Sequence, residues 1–334
     1  MRVRFPQTAY ILGAIVIFVL LYFFYSQSAQ TANVVLSVDK NVLDRSAPQG
    51  YFSAERKSAV QQQNFAPMVI PSKRNSSFDY KAAMKELNDA QVPMDDPRLI
   101  QMIRDYYIDP PSLEPYTLEN PGRLEYSNGQ TPFVDSRLNY MEGGFYVEAG
   151  ALNGEKGSNT LFFEKVRRWN GLLVEADPDN YEVLKTKHRK AFTINACLST
   201  KKYPNMVTFN KGFNRGRIYD NKEAVDWVKR EKNLPLNTIQ VQCFPLYSIL
   251  LALSQTTVDF FSLDIEGDEM HVLETIPFDK LNIKMMTVEF VHGTNGEETL
   301  RAFVESKGYD SLLKVQRWDG GVNDIIFRKK GLIH

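Results

Sequence analysis

The segment 144–164, Gly-Phe-Tyr-Val-Glu-Ala-Gly-Ala-Leu-Asn-Gly-Glu-Lys-Gly-Ser-Asn-Thr-Leu-Phe-Phe-Glu, constrains the fold more than any other stretch of the chain. An apolar run closes on Glu148, a turn carrying Gly150, Asn153 and Gly154 follows, and a second apolar run starts after Ser158 and Asn159. That order reads as a buried strand, a glycine-bearing turn and a helix start, the opening unit of a nucleotide-binding α/β domain. Gly150 lets the backbone turn tightly beside a ligand, and Gly154 is expected to keep the incoming helix close to the sheet. Ser158 and Asn159 offer oxygens that cap that helix. A second strand over 171–177 carries Glu175 near its end, about 20 residues past the glycines, where an acidic residue binds ribose hydroxyls in such folds.

The segments that follow keep alternating. A helix over 181–190 with a basic end leads into a third strand over 191–199. A helix over 245–253 precedes a strand over 258–263, and the strand over 284–290 lies between helices over 269–273 and 297–307, the last capped by Gly308. Residues 201–242 read as an insertion, with strands at 207–209 and 239–243 and a short helix near Trp227. Strand alternating with helix means a mostly parallel, doubly wound, Rossmann-like α/β sheet. Two closing strands, 311–315 and 323–327, flank the turn Asp319-Gly-Gly and are expected to form an antiparallel hairpin at the sheet edge. Ligands in such sheets bind beyond the carboxyl ends of the strands, at the point where strand order reverses. This gathers Glu148, Gly150, Glu175, Asn195 and Asp264 around one crevice, although strand-end acids also serve simply to cap helices.

Ahead of this domain the composition changes. Residues 1–8 are a short tail with Arg2 and Arg4, and residues 9–25 carry no charge and are dense in Ile, Val, Leu, Phe and Tyr, a candidate transmembrane helix. The first charge after the span is Asp39, so the positive-inside rule leaves the tail cytosolic and the remainder lumenal, a type II topology. A signal peptide cleaved near Ser26 and Ser28 is the rival reading. Residues 26–92 are polar and weakly periodic, a flexible lumenal stem, and Asn75-Ser-Ser within it is a candidate glycosylation site. Residues 93–132 hold a helix over 96–107, started by Asp96-Pro and ended by Asp109-Pro-Pro, and a connecting loop expected to fold over the mouth of the site. Residues 133–334 form the main domain.

Lysine plus arginine and aspartate plus glutamate both number 40, so no global field argues for nucleic acid. Cys197 and Cys243 both lie in apolar, strand-like sequence and are too few for a disulfide-built scaffold. They read as buried free thiols or as one lumenal disulfide.

The two strand-and-turn segments, with Val-Asp-Phe-Phe-Ser-Leu-Asp-Ile-Glu-Gly-Asp-Glu at 258–269, resemble the FkbM-type family of S-adenosylmethionine-dependent methyltransferases. Together with the membrane anchor they most resemble its Star branch, and the closing hairpin suits the methyltransferase variant of the fold rather than the dehydrogenase one. The resemblance implies S-adenosylmethionine as cofactor. Glu148 and the turn of Gly150, Asn153 and Gly154 would hold its methionine part, Glu175 its ribose, the loop from Asn195 to Cys197 its adenine, and Asp264 would face methyl donor and acceptor. Methyl transfer to oxygen needs a route for the acceptor's proton, for which Asp264 and Glu266 at one strand end, or Glu289 and His292 at the next, are the candidate bases. A lone histidine such as His292 equally suits a structural role. Asp264, Glu266, Asp268 and Glu269 read as a solvated acidic loop and not as a metal site, because no ligand cluster fixes a geometry. The pattern from Tyr181 to Lys185 matches a short-chain dehydrogenase motif by chance, with Tyr181 expected to pack on the Asp177-Pro178 turn.

The Star resemblance implies a single-pass type II protein of the endoplasmic reticulum, Golgi or endosomal membrane. Its partners would be the bilayer and membrane-bound epidermal-growth-factor-type ligand precursors, whose export from the endoplasmic reticulum it would promote. The alternative is an active O-methyltransferase acting on a lumenal glycan or protein hydroxyl.

Overall fold

The computed structural model describes residues 78–220, 236–293, 295–316 and 320–332. These belong to the second of the two units into which the chain divides, Ala66–His334. The expected tail, membrane span, Asn75 sequon and most of the stem lie outside the described residues, as do the helix near Trp227 and the start of the closing turn. Among the described residues no helix is long and apolar enough to cross a membrane.

The main sheet has the order β1-β4-β3-β2-β9-β10-β12-β11. Its parallel centre is β4 (Phe192–Asn195), β3 (Asn170–Glu175), β2 (Phe145–Ala149), β9 (Thr257–Leu263) and β10 (Asn282–Glu289). Strand order reverses between β2 and β9. Parallel strands covered on both faces need apolar residues on both, and the side chains sort by parity. Val147, Leu172, Val174, Phe261 and Met286 enter one core cluster, while Tyr146, Leu173, Phe260 and Met285 enter the other. Each such side chain contributes about 1.5–3 kcal/mol on burial, so the centre of the sheet anchors the domain. The expected hairpin forms from β11 (Tyr309–Gln316) and β12 (Val322–Lys329), and its return strand inserts antiparallel between β10 and β11. This is a Rossmann-like α/β fold with a mostly parallel sheet.

Several boundaries differ from the sequence reading. Helix α1 (Tyr80–Asp89) falls in the stretch assigned to the stem. Asp79 caps it by accepting from the Ala82 N–H at 3.0 Å, Met84 and Leu87 are buried, and Tyr80 stacks on Tyr106 at 5.2 Å. The next helix is α-helical only over α2 (Pro97–Met102) and continues as a π-turn over Ile103–Tyr107. It ends in a short strand, β1 (Ile108–Asp109), that pairs antiparallel with β4 and was missed because two residues carry no periodicity. Helix α3 (Gln130–Arg137) crosses the expected boundary at 132/133, since Pro132 sits in its first turn, where its missing N–H is harmless.

The third predicted strand breaks at Ala196, whose N–H donates to Glu175 O at 3.1 Å. The chain then leaves the main sheet as β5 (Cys197–Leu198) and joins a second sheet, ordered β5-β8-β6-β7, with β6 (Asn205–Asn210), β7 (Arg217–Ile218) and β8 (Thr238–Phe244). The insertion is therefore a small antiparallel-rich sheet. Cys197 and Cys243 face each other across β5 and β8 and are bonded as a disulfide, which settles the open choice against free thiols.

Candidate functional site

At the switch point the chain leaves β2 through a turn that only glycine permits. Gly150 has φ of +83°, and a Cβ added to it would lie 1.8 Å from Asp264 O. The close approach is held by the Asp264 N–H donating to Ala149 O at 3.1 Å and by the N–H groups of Gly150 and Ala151 donating to Val174 O, each at 3.1 Å. Strand ends β2, β3 and β9 are thus tied together at one point.

The loop from Gly150 to Thr160 wraps around Glu148. That carboxylate accepts from Ser158 Oγ at 2.8 Å, the Asn159 N–H at 2.7 Å and Thr160 Oγ1 at 2.6 Å. Burial pushes its pKa up, while Arg189 and these donors pull the other way. Ser158 in turn accepts from the Leu161 N–H at 3.1 Å, at the first residue of α4 (Leu161–Arg167); the N-cap position itself is Thr160, which makes no side-chain cap bond, and the Asn159 amide donates instead to Ser262 Oγ at 2.9 Å. Behind Glu148 lies Arg189, buried, which contacts Glu164 at 3.0 Å, Tyr146 Oη at 3.1 Å, Thr160 Oγ1 at 3.2 Å and the carbonyl of Gly154. Glu148 does not line the cavity described below, so it orders the loop. Asn153 does likewise, its Oδ1 accepting from the N–H groups of Glu155 and Lys156 at 3.1 and 2.8 Å. Gly154 makes room for Leu184 of α5 (Pro178–Thr186), 3.1 Å from the place of an added Cβ, and not for the incoming helix. Sequence reasoning passed over Arg189 as a basic helix end; the signal was two acids, Glu148 and Glu164, on apolar elements that demand a buried counter-charge.

A cavity of about 460 Å³ opens beyond these strand ends, lined among others by Gly150, Leu152, Glu175, Asp264, Glu289 and His292. Glu175 is buried and accepts from the Leu152 and Asp177 N–H groups at 2.7 and 2.9 Å. Burial is the main reason its pKa is pushed up to about 7. Asn195 turns away from the cavity and braces the exit of β3, donating to the carbonyls of Glu175 and Ala176 at 2.9 and 3.3 Å. Ala196, Cys197 and Leu198 form the wall in its place. The connecting loop reaches the mouth, where Asn128 and Gln130 line the cavity and Gln130 Nε2 donates to Asp324 at 2.5 Å.

The other end of the cavity is acidic. Asp264 opens into it but is otherwise surrounded by protein, which, with the neighbouring charges of Glu289 and Glu266, raises its pKa well above the ordinary range. Glu289 is buried, and burial raises it as well. His292 Nδ1 lies 2.9 Å from Glu266 Oε2 and 2.8 Å from Glu289 Oε1, and these two carboxylates push its pKa up to about 10. At neutral pH His292 is therefore an imidazolium, which corrects its reading as a proton acceptor. Nor is the 264–269 stretch solvated throughout, as its acids were expected to be. Asp268 and Glu269 are buried, and Glu269 Oε1 accepts from the N–H groups of Ile265 and Gly267 at 2.9 and 3.0 Å. Burial, then Glu289, pushes Glu269 up to about 8. Arg217, from the second sheet and read as nothing in particular in the sequence, lies 3.8 Å from Glu266. Tyr181 and Lys185 form no catalytic pair: the Tyr181 hydroxyl bonds to Asp109 and Thr193 at 2.8 and 2.9 Å, and Lys185 pairs with Glu182 at 2.7 Å.

Most of the residues that line this cavity fall within a stretch that matches a family model. Residues 148–311 match the methyltransferase FkbM domain. The matched residues begin near the end of β2 and run into β11. Among solved structures, the methyltransferase FkbM from Methylobacillus flagellatus KT is 13% identical with a TM-score of 0.36, covering 65% of this chain and 48% of that one. This chain so spans about half the length of that protein. A TehB-like S-adenosylmethionine-dependent methyltransferase from Corynebacterium glutamicum ATCC 13032 Kitasato is 13% identical with a TM-score of 0.35, over 62% of this chain and 89% of that one. A 1,6-didemethyltoxoflavin-N1-methyltransferase from Burkholderia thailandensis, determined with 1,6-didemethyltoxoflavin and S-adenosylhomocysteine, is 10% identical with a TM-score of 0.30, over 60% and 76% of the two chains. No curated protein matches the chain.

Proposed function

We propose that the cavity holds S-adenosylmethionine and that the FkbM-type domain transfers its methyl group to a hydroxyl of a lumenal glycan or protein. The observation that carries the reading is Glu175, a buried carboxylate at the cavity wall whose two backbone donors leave lone pairs for ribose hydroxyls. The remaining lining fits the same group. Gly150 leaves the turn bare, Ala196 and Leu198 offer an apolar wall to a purine, and Asn159 Oδ1, without a hydrogen-bond partner among the described residues, suits an ammonium. When bound, the cofactor supplies a methyl group on a positively charged sulfur. Asp264 stands between the glycine turn and the acidic end, the place for an acceptor oxygen, and positioning there supplies most of the rate. Asp264 and Glu289, both raised above ordinary carboxylates, are bases strong enough to take the acceptor's proton, while the His292 cation holds Glu289 and Glu266 in place. The test is transfer of tritiated methyl from S-adenosylmethionine to secretory-pathway glycans and glycoproteins. Label incorporated by wild type and absent with Asp264→Asn supports the reading; equal background with both refutes it.

A second reading, the Star-type one, has its own support. The Cys197–Cys243 disulfide is of a kind that persists in secretory compartments and rarely in the cytosol, in keeping with a type II protein of the endoplasmic reticulum, Golgi or endosomal membrane. On this reading the lumenal domain escorts membrane-bound growth-factor precursors, and a bound cofactor stabilises the escort. Co-precipitation with such precursors, together with a loss of their surface delivery on deletion, tests it; no association and unchanged delivery would sink it. Glycosidase sensitivity at Asn75 checks the topology.

A further inference from the structure

Two buried carboxylates, Glu289 on the cavity wall and Glu269 within 4.8 Å of it, share a feature of their hydrogen bonding. Glu269 and Glu289 are 1% and 2% exposed. In each, one oxygen is fixed by the protein: Glu269 Oε1 by the Ile265 and Gly267 N–H groups, Glu289 Oε1 by His292 at 2.8 Å. The other oxygen, Oε2 in both, has no hydrogen-bond partner among the described residues. Asp264 brings a third carboxylate from the end of β9, and one ligand atom from each of the three lies within 4.8 Å of the others. A carboxylate oxygen taken out of water without a partner is costly, and convergent oxygens of this kind are satisfied together by a cation.

We propose that Asp264, Glu269 and Glu289 bind a hard divalent cation, Ca²⁺, Mg²⁺ or Mn²⁺, at the floor of the cavity. The donor set is all oxygen, which selects hard ions over zinc or copper. The spacing agrees: opposite ligands stand about 4.2 Å apart around Mg²⁺ and about 4.6–5.2 Å apart around Ca²⁺, so small rotations suffice. A neighbouring grouping of Glu266, Glu289 and His292 is the poorer site, because His292 Nδ1 is already held between the two carboxylates. Three carboxylates leave coordination positions open toward the cavity. Resting on the methyl-transfer reading, an acceptor hydroxyl takes one of them. Its proton passes to Glu266, the candidate base on the cavity wall outside the ligand set, its oxygen bonds the methyl carbon, and the electron pair of the broken carbon–sulfur bond stays on sulfur.

The test is calorimetric titration of CaCl₂, MgCl₂ and MnCl₂, each alone, into the chelator-stripped full-length chain in mild detergent. Asp264→Asn, whose side chain opens into the cavity, and Glu289→Gln are the variants; Asp264→Asn serves if Glu289→Gln does not fold. Expected is one saturable site per chain for at least one ion, weakened at least tenfold in Asp264→Asn, and a cation-dependent rise in melting temperature that the variant loses. No saturable binding by any of the three ions, or unchanged affinity in Asp264→Asn, overturns the proposal. S-adenosylmethionine titrated into the same stripped sample reports on the cofactor crevice separately. Cofactor binding without cation binding removes the cation site alone, and cation binding without cofactor binding upholds it while removing the proposed function.

Discussion

Gly150→Ala tests the strand junction on which the site depends. The new methyl meets two costs. At φ of +83° an L-residue loses about 1–2 kcal/mol to its own backbone. Its Cβ would also lie 1.8 Å from Asp264 O, where ordinary contact begins at 3.4 Å, so β2 and β9 must part by 3.4 − 1.8, or 1.6 Å. That movement breaks the 3.1 Å bond from Asp264 N–H to Ala149 O and strands two buried backbone groups, a further cost of about 1–3 kcal/mol. Gly157→Ala is the control: it has φ of +71° with nothing within 4 Å of the added Cβ, so only the backbone term of about 1–2 kcal/mol applies. Urea unfolding of the two variants should therefore differ by about 1–3 kcal/mol, with Gly150→Ala the less stable. Equal stabilities would refute the close approach of the two strands, and with it the geometry given to the site.

Arg189→Leu removes the cation from Glu164 and Glu148 while leaving both carboxylates buried, and should cost about 3–5 kcal/mol by denaturant unfolding; a loss below about 1 kcal/mol would show that the network is hydrated. Glu175 carries a sign that can be read against pH. Its folded pKa of about 7 exceeds the ordinary 4.5, so the native state holds the extra proton and stability falls as pH rises across that window. Glu175→Gln should flatten this part of the stability profile, and superimposable profiles would contradict the burial. Reduction of the Cys197–Cys243 bond, which closes a separation of 46 residues, should lower stability by about 2–4 kcal/mol. Thiol labelling should then rise from none to two groups per chain, and labelling before reduction would show the bond absent.

The mostly parallel character of the central sheet was legible because the strands within 144–164, 171–177 and 258–263 are apolar on both faces and run into a glycine or an acid. The closing hairpin was legible in the same way, through its turn. What the sequence concealed was which way the acids point. Glu148 and Glu175 both end strands, yet Glu148 is turned inward by three donors from its own loop and Glu175 lines the cavity. Nothing in the spacing separates them; Arg189, 41 positions after Glu148, decides it. The same holds for His292, whose charge depends on two carboxylates from different strand ends, and for Asn195, which faces backbone carbonyls. Two strands of the second sheet, at 207–209 and 239–243, were legible, but the sheet itself was hidden because its pairings join residues as far apart as Cys197 and Cys243 and its other strands, β5 and β7, are only two residues long.

The central claim is that the crevice beyond β2, β3 and β9 binds S-adenosylmethionine. Calorimetric titration of the cofactor into the purified full-length chain, with Glu175→Ala alongside, tests it most directly. Saturable binding of one cofactor per chain, weakened at least tenfold by Glu175→Ala, is the predicted result, since a ribose hydroxyl deprived of its charged acceptor loses about 1.5–3 kcal/mol. Absence of heat from a sample shown to be folded, or equal affinity in the variant, would contradict it.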